Sequence, residues 1–264
     1  MAWWGAGIGA SIGMIFGGPI GAIIGAGIGS TLTQDQRGLG SSEQKQLGFI
    51  VATFSMLGKM AKADGVVSQD EIAFIDRFIQ SELQLDGRSR DVAIEIFNRA
   101  KSDPTSIYKY AEQISEIFLH DEPMRETLYR VLFMTALADG NLHPAEKEIL
   151  EQMPLYLRLR GGVYARIEAE LSGKSGGHSG GHFGGRSSAT DAEKLKQSYK
   201  VLGVKPAATD SDIKKAYRDK CKAYHPDTLA SKGLPDGFTK FANEQMQQFT
   251  EAHDAIMKNR RNHA

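Results

Sequence analysis

The sequence predicts an all-α protein in four pieces, and three observations predict it. Apolar residues recur at three- and four-residue steps through most of the 264-residue chain, the spacing of helices that bury one face. No run alternates apolar and polar residues for long enough to make a strand. Glycine is concentrated in two places, before Gly40 and between Gly173 and Gly185. These clusters set apart an uncharged segment over 1–34, a helical region over 43–171, a linker over 172–190 and a second helical region over 191–264.

Lysine plus arginine equals aspartate plus glutamate at 32 each, so the net field points to no nucleic acid or acidic substrate, and any electrostatic partner must be read from a local patch. Cys221 is the single cysteine. It excludes an intramolecular disulfide and a thiolate zinc cluster, and it suits a reducing compartment. No glycine-rich phosphate loop, Ser/His/Asp set or His/Cys cluster with ligand spacing is present, so the chain reads as a non-enzyme with no cofactor.

Ala2 to Thr33 contains no Asp, Glu, Lys or Arg, and about 20 such residues cross the hydrocarbon core as a helix. Trp3 and Trp4 stand at one end, where indoles favour the headgroup zone, while Arg37 and Lys45 follow the other end. The expectation is a single-pass membrane helix, kinked by Pro19, with the remainder of the chain in the cytoplasm. A signal peptide lacks support because there is no basic leader, and the two arms of a hairpin turning at Gly17-Gly18-Pro19 would each be short for a span. Glycines recur every fourth residue from Gly5 to Gly29. Since glycine weakens a helix, the row suggests close helix approach and a homodimer interface through Gly9, Gly13, Gly17 and Gly21.

In the middle region Leu47, Ile50, Val51, Phe54, Leu57 and Ala61 form one stripe. Ile107, Tyr110, Ile114, Ile117 and Phe118 form another, and Met124, Leu128, Val131, Leu132 and Thr135 a third. An internal repeat, Ala63-Asp64-Gly65 with Glu71 and Ala138-Asp139-Gly140 with Glu146, follows one helix and opens the next in each copy. A cation would have to use Asp64, Glu71, Asp139 and Glu146, the spacing of the second half of an EF-hand loop. The first half offers Met60, Lys62, Thr135 and Leu137 instead of carboxylates. Each Asp-Gly therefore reads as a helix stop and each later Glu as a cap. On these motifs the region resembles the TerB-like helical domain, and the resemblance implies an acidic-turn surface that binds a partner or responds to metal.

The linker is mostly Gly and Ser and cannot bury enough apolar surface to order itself. His178 and His182 within it have metal-compatible spacing only on a helix, which glycine disfavours.

In the last region Leu195, Tyr199 and Leu202 make a short stripe, and a longer helix from about Asp210 buries Ile213, Ala216, Tyr217, Cys221 and Tyr224. Its other side carries Lys214, Lys215, Arg218 and Lys222. Pro226 ends that helix at His225-Pro226-Asp227, and a last helix from near Pro235 buries Phe238, Phe241, Phe249, Ala252 and Ile256. Tyr199-Lys200-Val201-Leu202-Gly203-Val204, Ile213-Lys214-Lys215-Ala216-Tyr217-Arg218 and Tyr224-His225-Pro226-Asp227 together resemble a J-domain, a helical hairpin that regulates a DnaK-type ATPase chaperone. The resemblance implies that Lys214, Lys215, Arg218 and Lys222 dock on that partner while His225, Pro226 and Asp227 favour hydrolysis. Thr228, where lysine is common, and His253, where tyrosine is common, depart from the pattern. Membrane segment, TerB-like domain, glycine-rich tether and terminal J-domain in this order resemble the DjlA group of membrane-anchored J-proteins. That likeness implies a regulatory co-chaperone in the inner membrane; the alternative is a metal- or stress-responsive membrane scaffold built on the TerB-like domain.

Overall fold

The computed structural model describes residues 16–25, 40–63, 75–83, 85, 87–137, 142–172 and 191–262. Among these every regular element is helical: α1 (Gly18–Ile23), α2 (Ser41–Met60), a π-helical turn (Phe78–Glu82), α3 (Gly87–Ser102), α4 (Ile107–Ile117), α5 (Glu122–Ala136), α6 (Pro144–Tyr156), α7 (Val163–Ser172), α8 (Asp191–Leu202), α9 (Asp210–Ala223), α10 (Pro226–Ser231), a 3-10 turn (Asp236–Phe238) and α11 (Thr239–Asn262). The chain divides into two compact units, one of residues 1–160 with 230–240, the other of residues 161–229 with 241–264.

The first unit is built around α2. A stripe on one face was the expectation, but every residue from Leu47 to Gly58 is buried, because α1, α3, α4 and α5 all pack against this helix. A helix covered on several sides must be apolar all round, and α2 meets this by adding Phe49, Ala52 and Met56 to the expected residues. Gly58 lets α3 come close, since a Cβ there would run into the Phe97 carbonyl. Glycine in a helix interior costs about 1 kcal/mol, which the close packing offsets.

Several polar side chains inside this unit bond to backbone or to one another. The Arg125 guanidinium, 6% exposed, donates to the Leu157 and Arg158 carbonyls at 2.7 and 2.8 Å and to Leu119 O at 3.3 Å. It thereby places a cation on the negative end of α6. Burial holds its pKa below the ordinary arginine value, against the opposing pull of Glu122. Tyr110 donates to Asp103 at 2.6 Å, and the Lys59 ammonium reaches both the carbonyl and the carboxylate of Asp103.

Residues 230–240 belong to this unit too. Phe238 is buried edge-on against Phe49, with ring centroids 5.0 Å apart, Leu234 is buried, and Lys232 pairs with Asp121 at 2.8 Å. The expectation put Phe238 in the core of the last domain. The structure places it here instead.

The second unit has its own core: Tyr199, Val201, Leu202, Ile213, Tyr224, Phe249, Ala252 and Ile256. Ile213 and Tyr224 are buried as expected, whereas Ala216, Tyr217 and Cys221 are only half-buried. Arg260 near the end of α11 donates to the Tyr199 hydroxyl, to Asp210 Oδ1 and to the carbonyls of Pro206 and Ala208. One side chain thus fastens the last helix to the end of α8 and the start of α9.

Candidate functional site

The site is a basic helix that leads into an exposed corner. Thr209 caps α9 by accepting from the Asp212 amide at 3.2 Å while Asp212 accepts from the Thr209 amide at 3.1 Å, a reciprocal capping box. The Thr209 hydroxyl and amide hold the Asp212 carboxyl below its ordinary pKa. Acidic residues in the first turn and Lys220 and Lys222 in the last suit the helix dipole.

At 3.6 residues per turn, Lys214, Arg218, Lys222 and Lys215 fall within about 100° of the helix circumference. All four are exposed, and Ile213 and Tyr224 face the opposite way into the core. Lys220 lies off this stripe, with its ammonium 4.7 Å from the Phe249 ring centroid and 5.6 Å from that of Tyr224. It belongs to packing, and the four residues expected make up the exposed basic face.

The His225-Pro226-Asp227 corner is pinned from both sides. Tyr224 packs edge-on against Phe249 at 5.1 Å, and Leu229 is fully buried. Between these anchors the His225 side chain is 48% exposed and that of Asp227 is 93% exposed. Pro226 does more than end α9. It occupies the first position of α10, where its missing N–H is no loss, and the Asp227 amide donates to His225 Nδ1 at 3.2 Å. His225 is thus the cap of the next helix. His253 stacks on Tyr217 at 4.5 Å, so this departure from the expected pattern sits beside α9 as part of its packing.

Of the residues a cation would use, Asp64, Glu71 and Asp139 lie outside the described residues, and Glu146 accepts from the His143 amide at 3.1 Å as a helix cap. Among the described residues no cluster of His, Cys, Asp and Glu could hold a metal. Gly9 and Gly13, and the linker with His178 and His182, also lie outside. Gly17 and Gly21 are described, and they do not lie on one continuous helix: Gly17 and Gly18 both have positive φ, 55° and 53°, so the chain breaks before α1. The expected kink at Pro19 is a break at two glycines, with Pro19 in the first turn of the helix that follows. Among the described residues no helix is long and apolar enough to cross a membrane.

Sequence reasoning missed Arg125, Arg260 and Gln113, whose partners lie far away in the chain. Only the unusual position of a charged or amide group within an apolar helix pattern hinted at them.

Comparison with known proteins agrees with this layout. Residues 1–42 match the family described as the co-chaperone DjlA transmembrane domain, residues 51–169 that of the tellurite resistance protein TerB, and residues 197–263 the DnaJ domain. The co-chaperone protein DjlA of Photobacterium profundum is 30% identical over 223 residues, covering 83% of this chain and 80% of the relative. That of Coxiella burnetii is 30% identical over 211 residues, covering 80% and 77%, and that of Aliivibrio fischeri 28% over 234 residues, covering 84% and 82%. No solved structure matches the chain. A DnaJ-type corner on a basic helix, a TerB-type bundle and a DjlA-type membrane segment in one chain, with relatives matched over most of their length, place this protein in the DjlA family of membrane co-chaperones.

Proposed function

We propose that this co-chaperone stimulates the ATPase of a DnaK-type chaperone at the inner membrane, with its J-domain in the cytoplasm. The observation that carries the reading is the division of labour on α9 and its corner. Four cations are exposed on one face, and next to them a solvent-facing His-Pro-Asp corner is held by buried Tyr224 and Leu229. The corner acts on the partner's reaction and carries none of its own. The basic face supplies long-range attraction to an acidic patch of the partner, an effect that sets association rate and orientation and weakens with salt. The corner then bears on the partner at the point that favours hydrolysis.

The anchor is read as a single pass. Lys and Arg appear only after the uncharged segment, which favours retention of that end in the cytoplasm, where ATP and a DnaK-type partner are found. Self-association through the glycine row is part of the same reading.

The test is single-turnover ATP hydrolysis by DnaK with the full chain in phospholipid vesicles. Stimulation by the parent protein and its loss in His225→Gln are expected. Equal stimulation by both would overturn the mechanism. Alkaline carbonate should leave the parent in the membrane fraction, and protease added outside sealed cells should spare residues beyond Arg37; digestion there would overturn the orientation.

A further inference from the structure

Residues 230–240 connect two stretches of the second unit, yet they fold with the first. They begin within α10, the six-residue helix that the His-Pro-Asp corner opens, and end in the first turn of α11. Leu234, Pro235 and Phe238 are buried. The Phe238 ring stands edge-on to Phe49, which is in turn edge-on to Phe118 with ring centroids 6.1 Å apart. Lys232 pairs with Asp121 at 2.8 Å, with side-chain exposures of 33% and 17%. Two glycines allow the close fit. Gly233 has a φ of 103°, and a Cβ on it would stand 2.8 Å from Lys45 Cβ of α2, while a Cβ on Gly237 would run into the Leu83 carbonyl. A loop that merely linked two helices would run over the surface and need neither approach.

A second observation comes from α10. A helix of under two turns makes too few hydrogen bonds to hold itself, so its order comes from what its ends are attached to. Upstream are Tyr224 and Leu229, buried residues of the second unit; downstream are Leu234 and Phe238, buried residues of the first. The corner stays open with both ends held: the Asp227 side chain is 93% exposed, and Lys214, Lys215, Arg218 and Lys222 face solvent. The downstream anchor therefore supports the corner and does not cover it.

We propose that residues 232–238 are a strap by which the TerB-like bundle positions the His-Pro-Asp corner, with Lys232, Leu234 and Phe238 as positioning residues for ATPase stimulation. The assignment rests on the corner's action on a DnaK-type ATPase. Docking and stimulation then depend on different parts of the chain. The four cations of α9 belong to the second unit and set how much co-chaperone half-saturates DnaK. The strap sets how strongly the saturated complex is stimulated, because a corner that must be ordered at the moment of action adds that entropy to the barrier. Asp121 lies outside the matched DnaJ residues 197–263, yet through Lys232 it takes part in what the corner does.

The test uses the full chain in phospholipid vesicles. Hydrogen exchange is read amide by amide before DnaK is added, and single-turnover ATP hydrolysis is followed across a range of co-chaperone concentrations. The Leu229 amide donates to the His225 carbonyl at 3.0 Å and reports on the corner; the Gly233 and Phe238 amides donate to the Ala230 and Pro235 carbonyls at 3.0 and 2.9 Å and report on the strap. Phe238→Ala should speed exchange at all three by about a hundredfold. It should lower maximal stimulation and leave the half-saturating concentration within about twofold of the parent. Lys232→Glu sets like charges together at a partly exposed pair, where the fold tolerates it, and should speed exchange by about fivefold. Asp121→Asn should act in the same direction from the bundle side, and Lys232→Arg, which keeps the pair, should match the parent. Exchange at Leu229 that stays slow while Gly233 and Phe238 loosen would overturn the strap, as would a changed half-saturating concentration with maximal stimulation intact. A parent that fails to stimulate DnaK would overturn the reading of the corner, whereas a parent that stimulates alongside Phe238→Ala and Lys232→Glu variants equal to it would overturn the strap alone.

Discussion

Tyr224→Ala separates the chemistry of the His-Pro-Asp corner from the packing that holds it. The substitution leaves His225, Pro226 and Asp227 untouched but removes a ring that is 6% exposed and packed against Phe249 at 5.1 Å. Truncating a buried aromatic residue to alanine costs about 3–5 kcal/mol. Each 1 kcal/mol shifts the midpoint of a domain of 60–100 residues by about 4–8 °C, so the transition of the second unit should fall by about 12 °C or more. His225→Gln deletes an exposed group whose role in the fold is one cap hydrogen bond, a loss of about 1 kcal/mol at most. Calorimetry of the full chain and DnaK ATP hydrolysis at a temperature where both variants are folded give two readouts. Tyr224→Ala should lose stability and part of its stimulation because the corner is no longer pinned. Tyr224→Phe should stay within about 1 kcal/mol of the parent, and His225→Gln should keep stability and lose stimulation. If Tyr224→Ala melts like the parent, or if His225→Gln melts as low as Tyr224→Ala, the separation of corner from anchor is wrong.

Lys214→Glu together with Arg218→Glu reverses two exposed cations of one face, and association with DnaK should weaken and lose most of its dependence on ionic strength, measured by surface plasmon resonance across a salt series; unchanged binding would assign docking to another face. For Asp103, burial pushes the carboxyl up, but hydrogen bonds from Tyr110 and Thr105 and the Lys59 charge outweigh it and hold the group below its ordinary value of 3.8. Its folded pKa is therefore depressed, so the stability it contributes is complete above that value and lost as pH falls through the lower, folded one. Chemical denaturation of the parent should weaken below about pH 4, and Asp103→Asn should flatten that part of the curve; equal slopes would remove Asp103 from the balance.

Local signals carried much of this protein. The three- to four-residue apolar period announced helices throughout, and Glu146 caps the helix that follows the second Asp-Gly turn as its spacing suggests. The basic face was legible because Lys214, Lys215, Arg218 and Lys222 lie opposite Ile213 and Tyr224 on one wheel, and the corner because a proline interrupts that wheel. Each of these depends on residues within a turn or two of one another.

What only the tertiary structure decided depends on partners distant in sequence. A period can say that α2 has a buried face but not that it is covered on several sides, since that depends on which helices return to it. Gly48 and Gly58 look like weak points in a helix until the Phe16 ring and the Phe97 carbonyl are found against them. Lys220 has the composition of the basic face, yet the rings of Phe249 and Tyr224 draw its ammonium away. Gln113, Arg125 and Arg260 pair with backbone groups far along the chain, and such pairing leaves no periodic trace because one long polar side chain serves several elements at once. The sequence by itself determined the helices, the domain types and the residues of the corner; the structure decided which helix is central, where Phe238 is buried and where the membrane segment breaks, because these depend on contacts that exist only after the chain has folded back on itself.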